Sequence, residues 1–94
     1  MLNLNNYDLE INYSKYANGR TAIVLVDRED GMPFTTASVN MPDHDCPEGH
    51  IYIKNWSENE GMVEYLQGKG IIGEIVSYVN SGFVTVPLCK LRSE

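Results

Sequence analysis

Two stretches of this chain alternate apolar and polar side chains with a period of two, and a β-branched run lies between them. Residues 7–13 place Tyr7, Leu9, Ile11 and Tyr13 on one face and Asp8, Glu10 and Asn12 on the other. That spacing predicts a half-buried strand. Asn18-Gly19 is a strong turn signal, and the run Thr21-Ala22-Ile23-Val24-Leu25-Val26 that follows it reads as a central strand covered on both faces. Asp27-Arg28-Glu29-Asp30-Gly31 reads as a polar hairpin loop, and residues 34–41 alternate again through Ala37, Val39 and Met41. The first three strands are therefore expected to form a meander.

Pro42 ends that meander and opens a loop over residues 42–49, and residues 50–54 read as a short fourth strand. Ser57-Glu58-Asn59-Glu60 has the form of a capping box, with serine at the N-cap and a glutamate three residues on. Met62, Val63 and Leu66 give the following helix one apolar face, and Gly68 and Gly70 stop it after about three turns. Residues 73–79 and 83–91 read as a closing hairpin around Asn80-Ser81-Gly82, with Pro87 marking the last strand as an edge or bulged strand. The expectation is one α+β domain spanning residues 1–94: an antiparallel sheet of five to six strands with one helix packed on one face.

At 94 residues the chain is long enough for one modest core without staples. The longest apolar run is strand-sized, far short of the roughly 18 residues of a membrane span. The first thirteen residues carry Asp8 and Glu10 and no basic region ahead of an apolar stretch, so no signal peptide is read there and the cytoplasm is the expected compartment. Cys46 and Cys89 are expected to be free thiols in that setting. The net charge is −6, and its placement is uneven. Between Asp27 and Glu64 nine acids face two bases, a balance of −7, while the remainder balances at +1. Such a surface disfavours direct binding to nucleic acid and suits a protein partner with a basic surface.

The chemistry-bearing residues point away from catalysis. His44, Cys46 and His50 form a metal-like cluster that Cys89 would complete, yet the spacing matches no standard zinc site. No nucleophile elbow, phosphate-binding loop or dinucleotide fingerprint is present. The expected protein is non-enzymatic, without catalytic, metal-binding or cofactor-binding residues. Glu58, Glu60 and Glu64 are explained by the dipole at the helix start, which leaves Asp27, Glu29, Asp30, Asp43, Asp45 and Glu48 as the expected contact rim. Trp56 has two readings, a hydrophobic staple at the helix entry and an exposed anchor inside the acidic rim.

The strings Thr21-Ala22-Ile23-Val24-Leu25-Val26-Asp27 and Gly31-Met32-Pro33-Phe34-Thr35-Thr36-Ala37-Ser38-Val39-Asn40-Met41-Pro42 resemble a small domain-of-unknown-function family carried on phages and conjugative mobile elements of Firmicutes and related bacteria. So do the strings Ile53-Lys54-Asn55-Trp56-Ser57-Glu58-Asn59-Glu60-Gly61-Met62 and Ser81-Gly82-Phe83-Val84-Thr85-Val86-Pro87-Leu88. The resembling residues are turns, a helix entry and a strand, so no active-site residue is carried over. What the resemblance implies is a setting: small acidic proteins of such elements act by binding host machinery, including CRISPR and restriction nuclease complexes. An acidic, anti-CRISPR-like inhibitor is one expectation. The alternative is a self-assembling module, a homodimer pairing through the edge strand at residues 83–91.

Overall fold

The computed structural model describes residues 8–56 and 59–92. Its elements run β1 (Leu9–Lys15), β2 (Thr21–Asp27), β3 (Pro33–Thr36), β4 (His50–Tyr52), α1 (Met62–Gly68), β5 (Ile72–Ser81) and β6 (Val84–Leu91). The expected α+β class with one helix is observed, and β1, β2 and β3 form the expected antiparallel meander with β2 in the centre. The expected single sheet is not. The six strands divide into two three-stranded sheets, β1-β2-β3 and β4-β6-β5.

The division occurs at Ser38. The strand read over residues 34–41 pairs with β2 only through Thr36, and its continuation meets the second sheet in one isolated bridge, Ser38 to Ile53. There the serine hydroxyl replaces the backbone ladder. Ile23 N–H donates to Ser38 Oγ at 2.9 Å, and Ser38 Oγ lies 2.8 Å from the Tyr16 hydroxyl. One residue either side, Ala37 N–H still bonds to Ile23 in the first sheet, whereas Val39 N–H bonds to Tyr52 in the second. A buried serine thus serves both sheets while the chain crosses between them.

Two apolar clusters follow from this arrangement. The larger joins Leu9, Ile23 and Leu25 of the first sheet to Ile51, Ile72 and Cys89 of the second, and α1 adds Met62, Val63, Tyr65 and Leu66. The smaller lies on the other face of the second sheet, where Tyr52, Val86 and Leu88 meet Met41 and the half-buried Val39, Cys46 and Trp56. Successive residues of β4 and β6 alternate between the clusters, Ile51 and Cys89 toward one and Tyr52 and Leu88 toward the other. The two-sided burial reveals β6 as a central strand, not the edge that Pro87 predicts. β2 is less covered than expected: Ile23 and Leu25 are fully buried, but Val24 and Val26 are half-exposed.

Pro87 fits the centre of the sheet for a local reason. The two-residue turn makes Ser81 and Val84 a hydrogen-bonded pair, so alternation leaves Tyr78 opposite Pro87 as a non-bonded pair. The missing N–H therefore falls on the β4 side, where the ladder stops at Tyr52 and Pro87 only accepts, from Ile53 N–H at 3.1 Å. The irregularity sits in the partner strand, as register shifts in β5 on either side of Ile75.

The helix starts later than the sequence predicts. Its N-cap is Gly61, at φ 91°, and seven residues make two turns where about three were expected. Ser57 and Glu58, and the capping box read there, lie outside the described residues, as does Tyr7. With the helix beginning at Met62, Glu60 precedes it, and only Glu64 lies in its first turn. The N-terminal donor at Val63 is instead taken by the side chain of Asn55, eight residues back, at 2.9 Å.

Candidate functional site

The six acids of the expected rim fall in two loops, and β2 separates them. The 27–31 turn follows the C-terminal end of β2. The 42–49 loop is tied to Arg20, just before the N-terminal end of that strand. Seven residues of strand put about 20 Å between those ends. Asp27, Glu29 and Asp30 therefore form one negative patch, and Asp43, Asp45 and Glu48 form another.

The two patches use their carboxylates differently. Asp27 Oδ1 accepts from Glu29 N–H at 2.9 Å and Asp30 Oδ1 accepts from Met32 N–H at 2.9 Å. Both close the turn on themselves, the ordinary structural role of aspartate there. Arg28 in the same turn pairs with Asp8 at 3.4 Å, so this patch carries its own base. The 42–49 loop contains no lysine or arginine. Among the described residues, no hydrogen bond or ion pair engages the side-chain carboxylates of Asp43, Asp45 and Glu48, all of which are exposed.

What shapes the 42–49 loop is its backbone. Arg20 donates from Nη1 to Met41 O and from Nη2 to His44 O, both at 2.6 Å. The Tyr52 hydroxyl donates to Asp45 O. Cys46 Sγ donates to His50 O at 3.4 Å while packing on the smaller apolar cluster. His44 N–H and His50 N–H turn back onto Met41 O and Pro47 O. Anchors from β4 and from the β1–β2 connection thus hold the carbonyls inward, leaving the acids on the outside of a fixed loop.

That geometry also describes the metal-like cluster. His50 Nδ1 lies 3.1 Å from Glu48 O, and Cys46 is turned into the apolar cluster. Among the described residues, no three His, Cys, Asp or Glu side chains converge as an ion requires. Burial raises the Cys46 thiol above its ordinary value, with the Arg20 charge opposing, which keeps it from ionising readily. Burial alone pushes the Cys89 thiol up to about 11. Both cysteines are free, as expected.

Trp56 is neither a helix staple nor a free anchor. It is half-buried against the cluster of Tyr52, Val86 and Leu88, and the helix start lies six residues beyond it. The most exposed aromatic among the described residues is elsewhere. Phe83 stands at the tip of the β5–β6 hairpin with 109% relative exposure, and Ser81 of that hairpin lines a shallow cleft of about 240 Å³ with Asn40, Met41, Pro42, Asp43 and His44. Phe83 and Arg20 are the residues that the sequence reading misses. A turn phenylalanine looks like any strand residue in sequence, and the reach of Arg20 depends on how the hairpin folds back.

Among the described residues, no helix is long and apolar enough to cross a membrane. Comparison with protein-family models, with curated proteins and with solved structures finds no match to this chain.

Proposed function

We propose that this chain is a non-enzymatic protein-binding module that engages a basic surface through Asp43, Asp45 and Glu48, with Phe83 as the adjoining apolar contact. The observation that supports it most is the fully exposed Phe83, on a hairpin that shares a cleft with Asp43 and His44. An apolar anchor beside charged groups on a backbone already fixed is the anatomy of an interface hot spot. Asp27, Glu29, Asp30 and Trp56 contribute less in this reading, the first three because they lie about 20 Å away and Trp56 because it is half-buried against the smaller apolar cluster. In the setting that the family resemblance implies, the partner is a host defence nuclease complex of the CRISPR or restriction kind, and the chain acts as a stoichiometric inhibitor.

The experiment is affinity capture from the host, with the protein and its Asp43→Lys, Asp45→Lys, Glu48→Lys variant as parallel baits. The expected result is a protein retained by the first bait, lost from the second and released by salt. Equal retention by both baits would contradict the assignment.

A further inference from the structure

The two sheets leave four strand edges, and three are blunted. β1 carries Glu10 and Lys15, β3 has four residues beginning with Pro33, and β4 has three, its continuation bridged by Ser38. These are the usual devices against edge-to-edge pairing. β5 is different. It runs ten residues, its charged Glu74 lies near the start and pairs with Lys90 of β6 at 3.7 Å, and no described strand covers its outer side. From Ile75 through Cys89 the chain has no charged residue, although the whole carries −6. Val76 and Tyr78 are 41% and 59% exposed on that strand.

We infer that β5 is a self-association edge, and that two copies of this chain pair antiparallel through it with Tyr78 at the twofold axis. The hydrogen-bond alternation set by the Ser81–Val84 pair turns the backbone N–H and C=O of Tyr78 and Asn80 away from β6. Pro87, opposite Tyr78 and without an N–H to give, agrees with that phase. An antiparallel strand is complementary to itself about a twofold axis, so Tyr78 exchanges both bonds with Tyr78 of the second copy, giving one six-stranded sheet. A second copy is the occupant that the charge pattern favours. Two chains of −6 repel over most of their surfaces, and this uncharged hairpin is where they approach at least cost. The inference stands apart from the proposed binding surface, since it uses Tyr78 and not Phe83 or the 42–49 loop.

Sedimentation equilibrium of the intact chain tests it, at concentrations up to roughly 1 mM. The wild type is expected at twice the chain mass, with association strengthening as added salt screens the repulsion. Tyr78→Lys is expected to weaken association at least about tenfold, through like charges placed opposite each other and loss of an aromatic pair. If circular dichroism shows that variant to be unfolded, Asn80→Lys makes the same test. In a Cys46→Ser background, Tyr78→Cys is expected to oxidise to a disulfide-linked dimer, since paired Cα atoms lie about 5.5 Å apart. A wild-type monomer throughout the range would overturn the inference. So would a dimer that survives Tyr78→Lys, or one that weakens as salt rises.

Discussion

Arg20 donates from both terminal nitrogens to carbonyls 21 and 24 positions along the chain, and it does so half-buried. Charge-assisted bonds of this kind contribute about 1.5–3 kcal/mol each, so this one side chain fixes the loop that carries Asp43 and Asp45. Phe83 is the opposite case, a large apolar side chain with no packing to lose. Phe83→Ala is expected to leave stability within about 0.5 kcal/mol in denaturant titration, and a larger loss would assign Phe83 to the fold. Cys89 gives a pH prediction. Its folded thiol ionises near 11 against an ordinary value of 9.0, so the unfolded chain loses its proton first. The stability from neutral Cys89 is therefore fully present below about pH 9 and is lost as pH rises toward 11, by an amount of order 2 kcal/mol. Tyr52 and Tyr65, both raised mainly by burial, extend the decline upward. Thermal melts from pH 7 to 11 check this, with Cys89→Ala expected to flatten the first part of the fall. At this scale the sequence reading finds the acids and the free thiols. It does not find Arg20, because nothing local distinguishes a surface arginine from one folded back onto two carbonyls.

Elements were legible where a pattern is local. Alternation located β1 within two residues, with Leu9 and Ile11 on the core side, and the Asn18-Gly19 turn and the β-branched run placed β2. At the helix start, distant partners override a local signal. A capping box predicts a helix at Ser57, but Asn55 and Gly61 set its start at Met62. Asn55→Ala is expected to cost about 0.5–2 kcal/mol, the range for loss of a capping side chain, while Asn55→Asp keeps the acceptor. Equal melting temperatures for Asn55→Ala and wild type would remove that role. The entry to the helix is also tied to β3. Fully buried Asn59 accepts from Thr35 Oγ1 at 2.9 Å and donates to Thr36 O at 2.8 Å. Asn59→Leu strands both partners, and a loss of about 1–3 kcal/mol is expected on chemical unfolding. Proline in β6 misled for a different reason. Its missing donor matters only on the side where a partner strand expects it, and β4 has ended there.

For the whole molecule, two sheets and two apolar clusters replace the single sheet that strand counting suggests. Strand number and helix number follow from period and turns. The division does not, because it depends on one serine hydroxyl standing in for a ladder bond. The same layout splits an acidic middle third that looks continuous in sequence into two patches at opposite ends of β2. One patch is occupied with its own turn, and the other is held outward on a loop that shares a cleft with Ser81 of the β5–β6 hairpin. A surface that works by fixed shape as well as by charge separates two variants that pure charge would not. Arg20→Met keeps every carboxylate and makes the chain more negative, yet removes both bonds that fix the 42–49 loop. The decisive measurement is a calorimetric titration of the captured partner against wild type and Arg20→Met, with circular dichroism confirming that both are folded. Binding at least about tenfold weaker for Arg20→Met is the predicted result, and equal or tighter binding would contradict the account.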